Sequence, residues 1–488
     1  MAEFKVDPGK LPDWGRADLP APPTFNLKNV LMIIGPGTIA LSMSIGSGEW
    51  LMGPAAIVQF NAPALLWITT VAVFTQLIFN QECARYVMYT GETVYAGFMR
   101  TSPGPRFWGW FYAIIGGLQQ GWPGWAAASA ATIFAAFAGH IPGAPDRGAM
   151  LAWGYVSFAL VVLVLLFGGT VERGLEKVCT VISVWIFLFL ILTALFFVPA
   201  AAWWKVFKGL FDFGQLPKGA DWLLLGAFAA YSGTGGIGNI LTASWVRDKG
   251  FAMGSIVGAI PSLVAGKEIA LSKIGSIFDP AKESNKKAWD AWWKYLWIDQ
   301  GVVWGGGCMV GMYLCVLIAT SIIPEGTKLT GWAAGAYQAE YLSKLWWPLG
   351  FITLFTGFWI MWDTQLSITD GYVRTVTDIV WSTTDKPHTW KGGSKTVYYI
   401  SLLAFTIWGC IAINLAAPMM LLMIGANMAG FIFVVAGIHI LVVNNKFLPK
   451  SLRPPLWRNI AVILMVIFYG FFVIALIGKQ TGLWKISI

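Results

Sequence analysis

Ser44-Ile45-Gly46-Ser47-Gly48-Glu49-Trp50 interrupts an otherwise apolar run from Val30 to Gln59. As one straight helix that run would be ~45 Å long, against a hydrocarbon core of ~30 Å. Two glycines and a carboxylate at its centre predict that the helix unwinds there, because glycine disfavours the helix and tolerates other backbone conformations. A second interruption follows at Tyr231-Ser232-Gly233-Thr234-Gly235-Gly236-Ile237-Gly238-Asn239, again inside an apolar run.

The rest of the chain explains what these breaks interrupt. Of 488 residues, 57% are hydrophobic and only 12% are charged, about half the charged share of a soluble domain. Apolar runs of 20 or more residues recur, and helices satisfy their own backbone in lipid. The ten-residue alternation of a membrane barrel is absent. This is an all-α polytopic membrane protein, with spans expected near 30–59, 63–89, 107–138, 149–170, 178–200, 222–246, 299–323, 346–371, 396–416, 418–443 and 457–478.

Charge orients them. Of the 33 lysines and arginines, 25 fall in the tail and alternate loops and 8 in the others. The positive-inside rule then puts the N-terminus in the cytoplasm and the C-terminus outside, across eleven spans. Residues 1–28, polar and proline-rich, read as a retained cytoplasmic tail. The net charge of +9 belongs to this orientation and not to nucleic acid. The longest connection, 247–298, is cytoplasmic, and Lys286-Lys287, Trp289, Trp292-Trp293-Lys294 and Trp297 predict a helix lying on the membrane surface.

The breaks fall in spans one and six, five spans apart. Interrupted segments at matching places in two halves mark the central site of an inverted-repeat transporter. The expected layout is a first repeat over 29–202, a second over 203–443, and an added span within 444–488. Unwound backbone offers carbonyls to a cation and half-helix N-termini to an anion. The candidate substrate-binding residues are Gly46, Ser47, Gly48, Glu49, Tyr231, Ser232, Thr234, Gly235 and Asn239. Glu49 and Asn239 are candidate metal ligands, and either also suits a helix cap.

Carboxylates within spans need a reason. Asp363 and Asp370 share one face of span eight and read as a proton route or as bonds between helices. Glu82 is expected to pair with Arg85, and His439 to be a satisfied core histidine. The five cysteines (Cys83, Cys179, Cys308, Cys315, Cys410) lack metal spacing and read as small buried residues. No catalytic motif, metal box or phosphate loop occurs, so neither an enzyme nor a cofactor is expected. The expected partners are membrane lipid and a small cation or solute, and the expected location is a bacterial inner membrane.

Gly35-Pro36-Gly37, Ser42 to Ser44 and Gly46-Ser47-Gly48-Glu49-Trp50 resemble the first span of the Nramp divalent-metal transporters, which reads G-P-G, an apolar stretch, then D-P-G-N-W. The similarity continues through Leu66-Trp67, Gln76 and Thr90-Gly91-Glu92, and returns at Asn239 and Asn444-Asn445-Lys446. The resemblance implies a LeuT-type fold and metal-ion transport. This chain departs from the family at its ligands. The metal-binding Asp falls on Gly46, the Asn on Glu49, and Met-Pro-His-Asn on Gly236-Ile237-Gly238-Asn239. Without that thioether and imidazole, an oxygen-only site for a magnesium- or manganese-like cation, with little discrimination for iron or cadmium, is expected. Ile45-Gly46-Ser47-Gly48 is also similar to the first span of APC amino-acid transporters, whose unwound backbone holds a substrate carboxylate. A transport-inactive structural subunit is the third reading.

Overall fold

The computed structural model describes residues 6–167, 170–260, 263, 271–329, 331 and 336–482. Among these, seven helices are long and apolar enough to cross a membrane: Pro63–Thr90, Ala144–Leu166, Val171–Phe197, Glu283–Ile322, Gly393–Ala412, Pro418–Phe447 and Leu456–Gln480. They are spans two, four, five, seven, nine, ten and eleven. The other four are broken or polar, and those four build the site.

Span one comprises Leu27–Ile33, Pro36–Ser44, Ser47–Met52 and Gly53–Phe60, with its first turns bent by 59° from the rest. Span six is Trp222–Tyr231 and Ile237–Asp248. Between them Gly233, Gly235 and Gly236 have φ of 121°, 78° and 53°, which residues with a Cβ rarely adopt. Span three, expected as one helix, is also two, Pro105–Gln120 and Gly124–Ala138. Pro123 has no N–H to continue the ladder, and its ring would strike the carbonyl four residues back. Span eight, Trp347–Thr383, is a single helix of 37 residues, longer than expected.

The tail and the 247–298 connection share one face. Gly15–Arg16 pairs as a short parallel strand with Ser276–Ile277, and Lys282 binds Asp18 at 2.5 Å. Arg100, after span two, donates to the carbonyls of Pro8 and Pro12 at 2.7 and 2.8 Å. Five crossings being an odd number, span six enters from the face opposite to span one. The two broken helices therefore run antiparallel, side by side. Phe196, Leu403 and Ile467 are more than half exposed on the outer surface, where lipid tails would cover them.

The basic, tryptophan-rich stretch forms the helix Glu283–Leu296, and two of its indoles face the protein, whereas Trp297, just past it, is exposed. Trp289 and Trp292 are buried, packed on Phe278 and Phe251. The Trp292 indole N–H donates to Pro20 O at 2.8 Å, and Leu19 N–H to Asn285 Oδ1 at 3.0 Å. A buried indole needs an acceptor, and the proline-rich tail supplies free carbonyls. The helix then runs unbroken into span seven.

Charges seal the same face. Arg247 pairs with Asp248 and Asp378, Arg374 with Asp370 and Asp248, and Lys249 with Glu176. Glu82 binds Arg85, as expected, and also Arg458.

Candidate transport site

The breaks meet at backbone level. A Cβ on Gly48 would lie 1.7 Å from the Tyr231 carbonyl oxygen, and one on Gly46 would lie 2.1 Å from Thr364 Oγ1. After Gly46 the chain resumes as a wide π turn, Ser47–Met52, a geometry that recurs at functional sites. Hydroxyls bridge the gap between the breaks: Ser44 Oγ lies 3.1 Å from Thr234 Oγ1. The Trp304 indole of span seven donates to both, at 3.2 and 2.7 Å. The Trp125 indole, just past the break in span three, donates to Ser47 Oγ at 3.0 Å.

Beside these groups lies a small cavity of about 10 Å³, whose walls include Met43, Ser44, Ser47, Thr234 and Thr364. That is room for about one water-sized occupant. Of the residues expected from sequence, Ser47, Gly48, Tyr231 and Thr234 line it. Gly46 adjoins it through Thr364. Ser232 and Gly235 turn away, each giving its carbonyl to a glutamine side chain, Gln76 and Gln119 respectively, at 2.9 Å.

Glu49 stands apart from the wall. It is fully buried, and its Cγ faces Gly311 of span seven. The carboxyl group lies against the backbone N–H groups of Gly46 and Gly233. Neither of its oxygens makes a hydrogen bond of ordinary geometry. Asn239 is not a cap either. Its amide donates to Gln76 Oε1 and Asn80 Oδ1 at 3.1 and 2.9 Å. The cap is Gln119, whose Oε1 accepts from Ile237 N at 2.9 Å while its Nε2 donates to Gly235 O. One side-chain amide thus replaces helix bonds on both sides of the break.

The two aspartates of span eight part company. Asp363 accepts from Ser42 of span one and from Cys179 Sγ, the latter at 3.3 Å. Asp370 is held by Arg374, Trp245 and Tyr398, a structural role on the sealed face. His439 is satisfied by Thr101 and Tyr112 at 2.7 and 3.0 Å, as expected.

Sequence reasoning missed Met43, Gln119, Trp125, Trp304 and Thr364. Gln119-Gln120 directly before Gly121-Trp122-Pro123 was a readable signal, since adjacent amides at a proline break call for buried partners. Met43 gave no such signal among apolar neighbours. It returns to the cavity the kind of thioether that the span-six comparison had marked as lost.

No family model matches the chain, and no curated protein matches it. Among solved structures, it is similar to the manganese transporter of Eremococcus coleocola. A histidine-to-alanine mutant of that protein gives a TM-score of 0.63 at 15% identity, over 97% of this chain and 92% of that one. The same transporter in complex with an aromatic bis-isothiourea substituted compound gives 0.62 at 15%, over 99% and 92%. Mhp1, a nucleobase-cation-symport-1 family transporter in a closed conformation, gives 0.51 at 12%, over 93% and 94%. The fold is LeuT-type. At such identities the likeness establishes the architecture, a five-plus-five inverted repeat with spans one and six broken.

Proposed function

We propose that this protein is a secondary transporter carrying a small cation through the cavity between the two breaks, with Glu49 as its charge partner. The observation that carries this reading is the convergence of hydroxyls and the Tyr231 backbone from both broken helices on a small space of about 10 Å³. The Glu49 carboxyl lies alongside, facing both breaks. A desolvated cation needs replacement oxygens and a compensating charge. An amino acid does not fit that space, and the backbone N–H groups that would hold its carboxylate already face Glu49.

A divalent metal ion is the favoured cargo. The motif resemblance supports this, as does the name of the manganese transporter that shares the fold. Met43 adds a soft donor, so the oxygen-only expectation gives way to a mixed site that still suits manganese-like ions and also offers a ligand to softer ones. Asp363, beside the first half of span one, is the better-placed carrier for a coupling proton, since Asp370 is committed to Arg374. The 25-to-8 charge split supports a cytoplasmic tail, and a bacterial inner membrane is the proposed location.

The test is uptake by purified protein in liposomes, with magnesium, manganese, cadmium and an amino-acid panel in competition. Saturable metal uptake that amino acids do not inhibit is the expected result. Uptake of an amino acid alone overturns the reading, and no uptake of any solute favours a structural subunit.

A further inference from the structure

The tail-side half of span one, Pro36–Ser44, is held at its N-terminus by span seven. Asp299 Oδ1 accepts from Gly35 N at 3.0 Å, and Oδ2 from Gly37 N at 2.8 Å. A carboxylate in that place satisfies orphan N–H groups and complements the helix dipole. Asp299 does not act alone. Gln300 Nε2 donates to Asp299 Oδ2 at 2.7 Å, and Asn80 Nδ2 to Gln300 Oε1 at 3.2 Å. Asn239 donates to Asn80 and to Gln76, and Gln76 Nε2 to the Ser232 carbonyl inside the break of span six. All five side chains are buried, at 0% exposure.

This chain has an acceptor at each end, a carboxylate and a carbonyl. A row of amides between two acceptors must contain one member that donates both ways. Asn239 is that member. It uses both amide hydrogens, and its own Oδ1 is left buried without a partner. An unpaired buried carbonyl is costly, and this one lies at the start of the second half of span six.

We propose that Asp299 is a positioning residue that latches the tail-side half of span one, and that the amides Gln300, Asn80, Asn239 and Gln76 couple the latch to the break in span six. Cargo in the cavity that shifts the break, and with it the Ser232 carbonyl or Asn239, changes the bonding at the end or at the centre of this chain. Asp299 can only accept, so Gln300 keeps its amide nitrogen toward the carboxylate, and the change reaches the latch as a shift in the position of Gln300. Tilting the half-helix away costs Asp299 two of its three donors, so the state of the break sets how readily this side opens. The proposal concerns the same site as the transporter reading and rests on the chain's opening toward its tail. Its test uses no cargo and stands or falls separately from the choice of substrate.

Cys179, fully buried in span five and bonded to Asp363, lies behind the half-helix and reports its movement. The full chain, with the other four cysteines replaced by alanine, is reconstituted, and an impermeant maleimide is added on the tail side. Asp299→Asn should speed labelling of Cys179 about tenfold, the equivalent of one lost charged hydrogen bond. Asn80→Leu, which touches neither Asp299 nor span one, should speed it severalfold. The double variant should label no faster than Asp299→Asn alone, the mark of one coupled unit. Thr353→Val, at a buried hydroxyl outside the chain, should leave the rate unchanged. A double variant whose acceleration is the product of the two single ones overturns the coupling, as does an Asn80→Leu rate equal to that of the parent. If Asn80→Leu does not fold, Gln300→Leu interrupts the same chain and is read in the same way.

Discussion

Gly48 and Tyr231 are in contact through their main chains, so closely that a Cβ on the glycine would lie 1.7 Å from the tyrosine carbonyl oxygen. No side chain is accommodated there without forcing spans one and six apart. Gly48→Leu should abolish uptake and destabilise the protein by more than about 3 kcal/mol, the upper end for overpacking. At Gly470 in span eleven the nearest atom is 3.9 Å away, and Gly470→Leu should retain both. Thermal melting of the purified variants, together with uptake, separates the two positions.

Glu49→Gln should leave folding intact, since the amide has nearly the same shape and its oxygen can still face the N–H groups of Gly46 and Gly233. It should reduce uptake to background, because neutral dipoles alone do not offset removal of a cation from water. Wild-type uptake by this variant would remove Glu49 from the mechanism.

Met43→Leu keeps nearly the same volume and should cost less than about 1.5 kcal/mol. It deletes the sulfur. Competition assays should show cadmium and manganese losing ground to magnesium, as expected when a soft ligand is withdrawn. An unchanged metal preference would mean that the thioether serves packing alone.

Ser284 and Glu325 are exposed at the two ends of the helix Glu283–Ile322. Cysteines introduced there one at a time should label from opposite sides of the membrane, with Ser284→Cys reporting the cytoplasm. Labelling of both from one side would undo the eleven-span topology.

Arg100 is fully buried against Glu92, at 2.6 Å, with Trp14 of the tail stacked 3.8 Å from its guanidinium. Arg100→Ala strands a buried carboxylate and frees the tail. The expected cost is about 3–5 kcal/mol, seen as a lower melting temperature and as faster proteolysis within residues 6–26.

The spans, their number and the two breaks in spans one and six follow from local properties. Twenty apolar residues suit lipid wherever they occur, and Gly46–Gly48 and Gly233–Gly238 disfavour helix whatever surrounds them. Pro123 carried the same kind of message about span three, within a stretch read by hydropathy alone. What no local rule reveals is which way a side chain points once helices pack. Glu49 shares a break with Ser47, yet it turns toward Gly311 while Ser47 meets Trp125. Met43, ordinary in sequence, enters the cavity because Gly238 leaves room beside it. Trp292 is taken into the protein by a carbonyl 272 residues away. The amide chain from Asp299 to Ser232 crosses three helices, and its parity exists only when all of them are in place. Sequence determines what each segment can be; the partner of each buried polar group is decided by tertiary packing, because leaving one unpaired in lipid is costly.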